Sequence, residues 1–95
     1  MEPLAKRWEI TEAALRDAHA LLSTPDARVL DYLAHNELGL AFGDLVSFGR
    51  EHSLPSVFWK LLGHAADCMS LNEHRADLRH RYREALELEL AGKKN

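Results

Sequence analysis

Residues 32–71 read YLAHNELGLAFGDLVSFGREHSLPSVFWKLLGHAADCMSL, and the apolar spacing in this stretch decides the fold. At 100° per residue, Leu38, Ala41, Phe42, Leu45, Val46, Phe48 and Gly49 fall on one side of a helix over about Glu37 to His52, where they form its core face. The opposite side carries Leu40, Asp44, Ser47 and Glu51, with Glu37 at its edge. Gly39, Gly43 and Gly49 each weaken a helix by about 1 kcal/mol relative to Ala. Three of them in one helix predict a closely packed neighbouring backbone or a kink. Ser53-Leu54-Pro55 breaks the pattern and restarts it, and the next helix, Pro55 to Met69, is read as burying Val57, Phe58, Leu61, Leu62, Ala65, Cys68 and Met69. Trp59 lies off that face, beside the small residues Gly63 and Ala66, either as a second packing face or as an anchor for a partner.

Working outward, the N-terminal side holds a helix over Pro3 to Leu22, with Pro3 in a first-turn position. Leu4, Trp8, Thr11, Leu15, Ala18 and Leu22 recur at helical spacing, and Ile10, Ala14 and Leu21 form a strip beside them. Ser23-Thr24-Pro25-Asp26 ends this helix, with Ser23 or Thr24 read as the N-cap of the next and Pro25 near its first position. That short second helix buries Val29, Leu30 and Leu33 and stops at His35-Asn36, Asn36 being read as the cap of the third. On the C-terminal side, Ser70 or Asn72 caps a last helix that runs to about Ala91 and stops near Gly92, with Lys93 and Lys94 complementing its dipole. Leu78, Tyr82, Ala85 and Leu86 face inward on it, and Asp77–Arg81 and Arg83–Glu87 have i, i+4 spacing. Arg75, Arg79 and Arg83 form a basic edge read as solvated. No alternating apolar run calls for a strand. The expected architecture is one all-α domain over residues 1–95, a compact bundle of about five helices with the first and last flanking the central hairpin.

Composition narrows the classes. The chain of 95 residues is 46% hydrophobic and 28% charged, a globular balance. No apolar run approaches the roughly 18 residues of a membrane span, and MEPLAKRWEITEAA does not read as a signal peptide. A cytoplasmic location and a monomeric free state are the expectations. The formal net charge is −3, with the acidic excess ahead of residue 72. That balance argues against nucleic acid and for a basic partner. Cys68 is the single cysteine, which rules out an internal disulfide and a Cys-rich zinc site and leaves a small core hydrophobe.

Six histidines raise the question of chemistry. His64–Cys68 and His80–Glu84 have i, i+4 spacing, but two ligands do not make a zinc site. No metal, cofactor or catalytic set is expected. The most specific catalytic pattern is Arg75-x4-His80, which resembles the active-site motif of HEPN-type ribonucleases. Such a site needs both side chains at one phosphate, whereas on a regular helix they point ~140° apart. A third reading is a self-associating adaptor in which Ile10, Ala14, Leu21 and Trp59 meet a second copy.

The run from Leu30 resembles the small immunity proteins of the MafI type, which accompany bacterial polymorphic and contact-dependent growth inhibition toxins. The matching positions are His35, Asn36, Glu37, Leu38, Gly39, Leu40 and Ala41, then Pro55, Leu61, Leu62, Met69 and Leu71. They cover about 40 residues of the chain. Gly43 and Ser47 stand where that family more often has helix-favouring or charged residues, and the helix after Leu71 is longer. The resemblance implies a non-catalytic antitoxin that binds and blocks one cognate toxin domain, a basic protein of nuclease type. The residues expected to bind it are Glu37, Leu40, Asp44, Ser47, Glu51 and Trp59.

Overall fold

The computed structural model describes the backbone of residues 4–93 and the side chains of residues 6–92. The roles read for Pro3, for the Leu4 side chain and for the Lys93 and Lys94 side chains lie outside the described residues. The described chain forms five α-helices and one 3-10 turn: α1 (Leu4–His19), α2 (Ala27–Ala34), α3 (Leu38–Glu51), α4 (Ser56–Cys68), the turn Asn72–His74 and α5 (Arg75–Lys93). It has no strand among the described residues, as the periodicity predicts.

Two of the four breaks are built alike. α2 ends with Asn36 in the left-handed region at φ 56°, and Glu37 N–H donates to Tyr32 O at 2.8 Å while Asn36 N–H donates to Leu33 O at 3.2 Å. α4 ends with Ser70 at φ 59°, Leu71 N–H donating to Ala66 O at 2.9 Å and Ser70 N–H to Asp67 O at 3.2 Å. Both patterns are Schellman motifs, which satisfy the last carbonyls of a helix through a residue at positive φ. Asn36 and Ser70 therefore close the helix before them and do not cap the helix after them. Their short polar side chains favour either role. Only the backbone geometry separates the two.

The other breaks are held by tertiary contacts. Asp26, rather than the expected Ser23 or Thr24, is the N-cap of α2: its Oδ1 accepts from Arg28 N–H and Val29 N–H. Its own N–H donates to Nε2 of His19 at 2.9 Å, which fastens the end of α1 to the start of α2. Pro55 precedes α4 and has no side chain able to cap it. Glu89 of α5 does so from across the bundle, accepting from Ser56 N–H at 3.0 Å and Ser56 Oγ at 2.6 Å. At the far end of α4, Arg7 of α1 donates to the carbonyl of Cys68 at 2.9 Å.

α4 is the central element. It packs against α1 on one side and α5 on the other, α3 bridges α1 and α4, and α2 lies on α3. The first and last helices therefore flank α4 rather than the α3–α4 hairpin. The core holds Leu15, Leu33, Phe42, Leu45, Phe58 and Leu62 with no more than 2% exposure, each worth about 1.5–3 kcal/mol on burial. The core face predicted for α3 is observed, with Phe48 half-buried at its margin.

Elsewhere the burial differs from the pattern. On α4 the buried arc is centred on Leu62 and takes in Phe58, Trp59, Ala65 and Ala66, because two helices pack on it. Val57 lies ~140° round from Leu62 and is exposed, while Leu61, Cys68 and Met69 are half-buried. Leu30 is exposed because the short α2 hides only the strip of Val29 and Leu33. Trp8 shares the side of Leu15 but is 55% exposed; it sits next to Arg7, which already reaches the last turn of α4. Thr11 is buried, its hydroxyl donating to Arg7 O at 2.7 Å.

The glycine reading holds at one position. A Cβ at Gly49 would lie 2.5 Å from Cη2 of Trp59 and 2.8 Å from Cε1 of Phe58, so the close neighbour is an indole rather than a backbone. A Cβ at Gly39 or Gly43 would meet nothing within 4 Å. Gly49→Ala is therefore expected to destabilise the protein in urea unfolding, because overpacking of about 1–3 kcal/mol exceeds a helix-propensity gain of up to about 1 kcal/mol. Gly39→Ala and Gly43→Ala are expected to stabilise it by about 0.5–1 kcal/mol each. A shared sign across the three variants would contradict the Gly49–Trp59 contact. Ser70→Gly is expected to raise the melting temperature, since left-handed backbone costs a residue with Cβ about 1 kcal/mol that glycine avoids.

Candidate functional site

The inner sides of α3 are taken by α1, α2 and α4, which leaves one stripe outward. Of the residues expected there, Glu37, Leu40, Ser47 and Glu51 are exposed, Leu40 to 54%. From Glu37 to Glu51 the stripe is about 21 Å long at 1.5 Å per residue. Gly39 and Gly43 lie exposed beside Leu40, so the leucine stands above a nearly flat surface. Glu37 occupies the N-cap position of α3 with no side-chain capping bond. Its carboxylate is favoured there by the helix dipole and points its charge outward. Glu51 closes the stripe at the other end and has no ion-pair partner among the described residues.

Two expected members behave differently. Asp44 is half-buried and lies 3.9 Å from Nε of Arg28 on α2, so part of its charge is met within the protein. Trp59 is 5% exposed and is not part of the stripe. Its indole lies under Gly49, edge-on to Phe58 at 5.1 Å, with the Arg81 guanidinium 5.5 Å from the ring centroid. Its expected place on a binding surface is corrected to a place in the core, because α3 carries a glycine where a side chain would have pushed the indole out.

Charges at the margins are arranged locally. His35 Nδ1–H donates to the backbone carbonyl of Asp31 at 2.8 Å, and that bond raises the histidine's pKa above its ordinary value, helped by the Asp31 carboxylate and by Glu37. Asp77 on α5 is pushed up by partial burial, but hydrogen bonds from Arg81 and Arg50 and their charges outweigh this and hold it below the usual carboxylate range. The Arg50–Asp77 pair, 3.3 Å, ties α3 to α5.

The ribonuclease-like pair is not brought together. Arg75 binds Asp67 of α4 at 2.9 Å, and His80 lies 3.3 Å from Glu84 on its own helix. They lie five positions apart on the helix, which keeps the side chains ~140° apart. The structure also alters the reading of the basic edge: Arg75 and Arg79 line a groove between α4 and α5, together with Lys60. The groove joins residues from two helices, and only the i, i+4 spacing of the arginines was visible in the sequence. Among the described residues no three His, Cys, Asp or Glu side chains are grouped to hold a metal ion. No helix among them is long and apolar enough to cross a membrane.

Comparisons with protein-family models, with curated proteins and with solved structures give no match to this chain.

In an NMR pH titration His35 is expected to have a midpoint above that of an unperturbed histidine, and Asp31→Asn should lower it without restoring it fully, since the backbone carbonyl remains. A raised folded-state pKa means that the proton on His35 favours the folded state. That contribution is present below the ordinary histidine pKa and is lost as pH rises through the raised value. A midpoint at or below the ordinary value would contradict the Asp31 contacts.

Proposed function

We propose that this chain is a binding protein of the immunity class, which neutralises a toxin domain by docking the outward stripe of α3 onto a basic surface. The observation that carries this reading is that Glu37, Leu40, Ser47 and Glu51 are exposed along one helix edge. None of the four side chains packs into the core. Leu40 offers an apolar anchor between two carboxylates, which matches the apolar centre and charged rim of a protein interface. The flat ground at Gly39 and Gly43 lets a partner approach the backbone of α3. The resemblance of residues 35–71 to MafI-type immunity proteins supports the same class, and a cytoplasmic site of action goes with it.

Acidic side chains facing a cationic nuclease cleft would occupy the place of substrate phosphates and speed the encounter. A stable complex of ordinary size buries about 800 Å² on each partner, so the stripe would form the centre of the contact and neighbouring surface its rim. Asp44, half-committed to Arg28, contributes less of this charge than Glu37 and Glu51.

The test is protection of growth when the chain is produced in cells that receive the toxic domain encoded beside it, together with affinity measured on the purified pair. Glu37→Lys with Glu51→Lys is expected to weaken binding at least tenfold and flatten its salt dependence. Leu40→Ala should weaken it through faster dissociation. Protection and affinity that withstand all three changes would place the interface elsewhere. Absence of any complex would remove the immunity reading.

A further inference from the structure

We propose that the groove between α4 and α5 binds a small organic phosphate with a flat apolar body, of mononucleotide size or below. The juxtaposition behind this is an apolar floor from both helices beneath two cations that have no ion-pair partner among the described residues. The inference is independent of the α3 stripe.

The groove follows from the pairing of the two helices. Asp67 meets Arg75 at one end and Ser56 meets Glu89 at the other, so α4 and α5 run antiparallel. Stepping along each helix from the Asp67–Arg75 pair brings Gly63 level with Arg79 and Lys60 level with Tyr82. Trp59, Leu78 and Tyr82 make the floor. The cavity measures about 360 Å³, within the range of roughly 300–1,000 Å³ for small-ligand sites but near its lower end. A dinucleotide does not fit that volume.

Charge selects the ligand. The chain as a whole is acidic at −3, yet the groove gathers Lys60, Arg75 and Arg79 against the one carboxylate of Asp67. Asp67 engages Arg75. Lys60 and Arg79 have no ion-pair partner among the described residues. A planar arginine fork and a mobile ammonium on opposite walls suit a phosphate dianion better than a single carboxylate. An acidic peptide is the poorer fit: the groove is only about 10 Å long between the levels of Lys60 and Asp67 at 1.5 Å per residue, and an extended acidic segment would have to pass the Asp67 carboxylate.

Gly63 gives the groove its opening. A Cβ there would meet nothing within 4 Å, so packing does not require glycine, although glycine costs a helix about 1 kcal/mol relative to Ala. Its consequence is free space opposite Arg79, where the phosphate would lie.

The test is an NMR titration of the full chain with AMP and with phenyl phosphate, using inorganic phosphate as control. Both organic phosphates are expected to shift the Gly63 and Arg79 amides in a saturable way and to bind at least tenfold more tightly than inorganic phosphate. Lys60→Ala with Arg79→Ala should weaken them at least tenfold. Gly63→Leu should abolish binding while leaving the thermal unfolding transition intact. The proposal is overturned by the absence of saturable binding below about 1 mM, by equal binding of inorganic phosphate, or by AMP affinity unchanged in both variants. Saturation of the groove by a Glu-rich hexapeptide with no response to either organic phosphate would also overturn it, assigning the groove to an acidic protein segment.

Discussion

The rest of the bundle depends on the indole of Trp59 lying against the backbone of Gly49. α4 has helices on two sides, and α3 can approach it only because residue 49 has no side chain to meet Trp59 and Phe58. Once the indole is covered, the Arg81 guanidinium lies by the ring. The same arginine reaches Asp77, which also receives Arg50 from α3. One missing methyl group thus joins three helices through an aromatic ring and a shared carboxylate. The contact is short-range repulsion avoided rather than strong attraction, which is why a single carbon is enough to test it.

The consequence for function is a division of surfaces. With Trp59 turned inward, the outward side of α3 keeps one large apolar residue, Leu40, among carboxylates. The α4–α5 hairpin meanwhile carries the basic groove. An acidic edge and a basic groove on a 95-residue chain offer partners of opposite charge two separate places to bind, and long-range steering would act differently on each. Asp44 and Asp67 moderate the contrast, since each is partly met by an arginine of a neighbouring helix.

Small helical proteins commonly end helices on glycine, but here Asn36 and Ser70 hold the left-handed positions. Both serve the architecture by turning the chain sharply while satisfying the carbonyls of the preceding helix. The start of α4 has the converse difficulty, since Pro55 brings no capping side chain, and the carboxylate of Glu89 supplies the cap from another helix. Helix ends in this protein are therefore tertiary features as much as local ones. Adjacent polar residues alone therefore do not locate these helix ends.

By itself the sequence determined the all-α class, the number of helices, the core face of α3 and the outward stripe of Glu37, Leu40, Ser47 and Glu51. These follow from a 3.6-residue period, and a helix with one clear apolar face has only one way to turn in a single core. Tertiary structure alone decided the fates of Trp59, Val57 and Leu30, the roles of Asn36 and Ser70, and the groove between α4 and α5. Each depends on how many neighbours a helix has and at what level they meet it. Such distances run across the chain, between residues such as Gly49 and Trp59, Ser56 and Glu89, or Asp67 and Arg75, and no local periodicity records them.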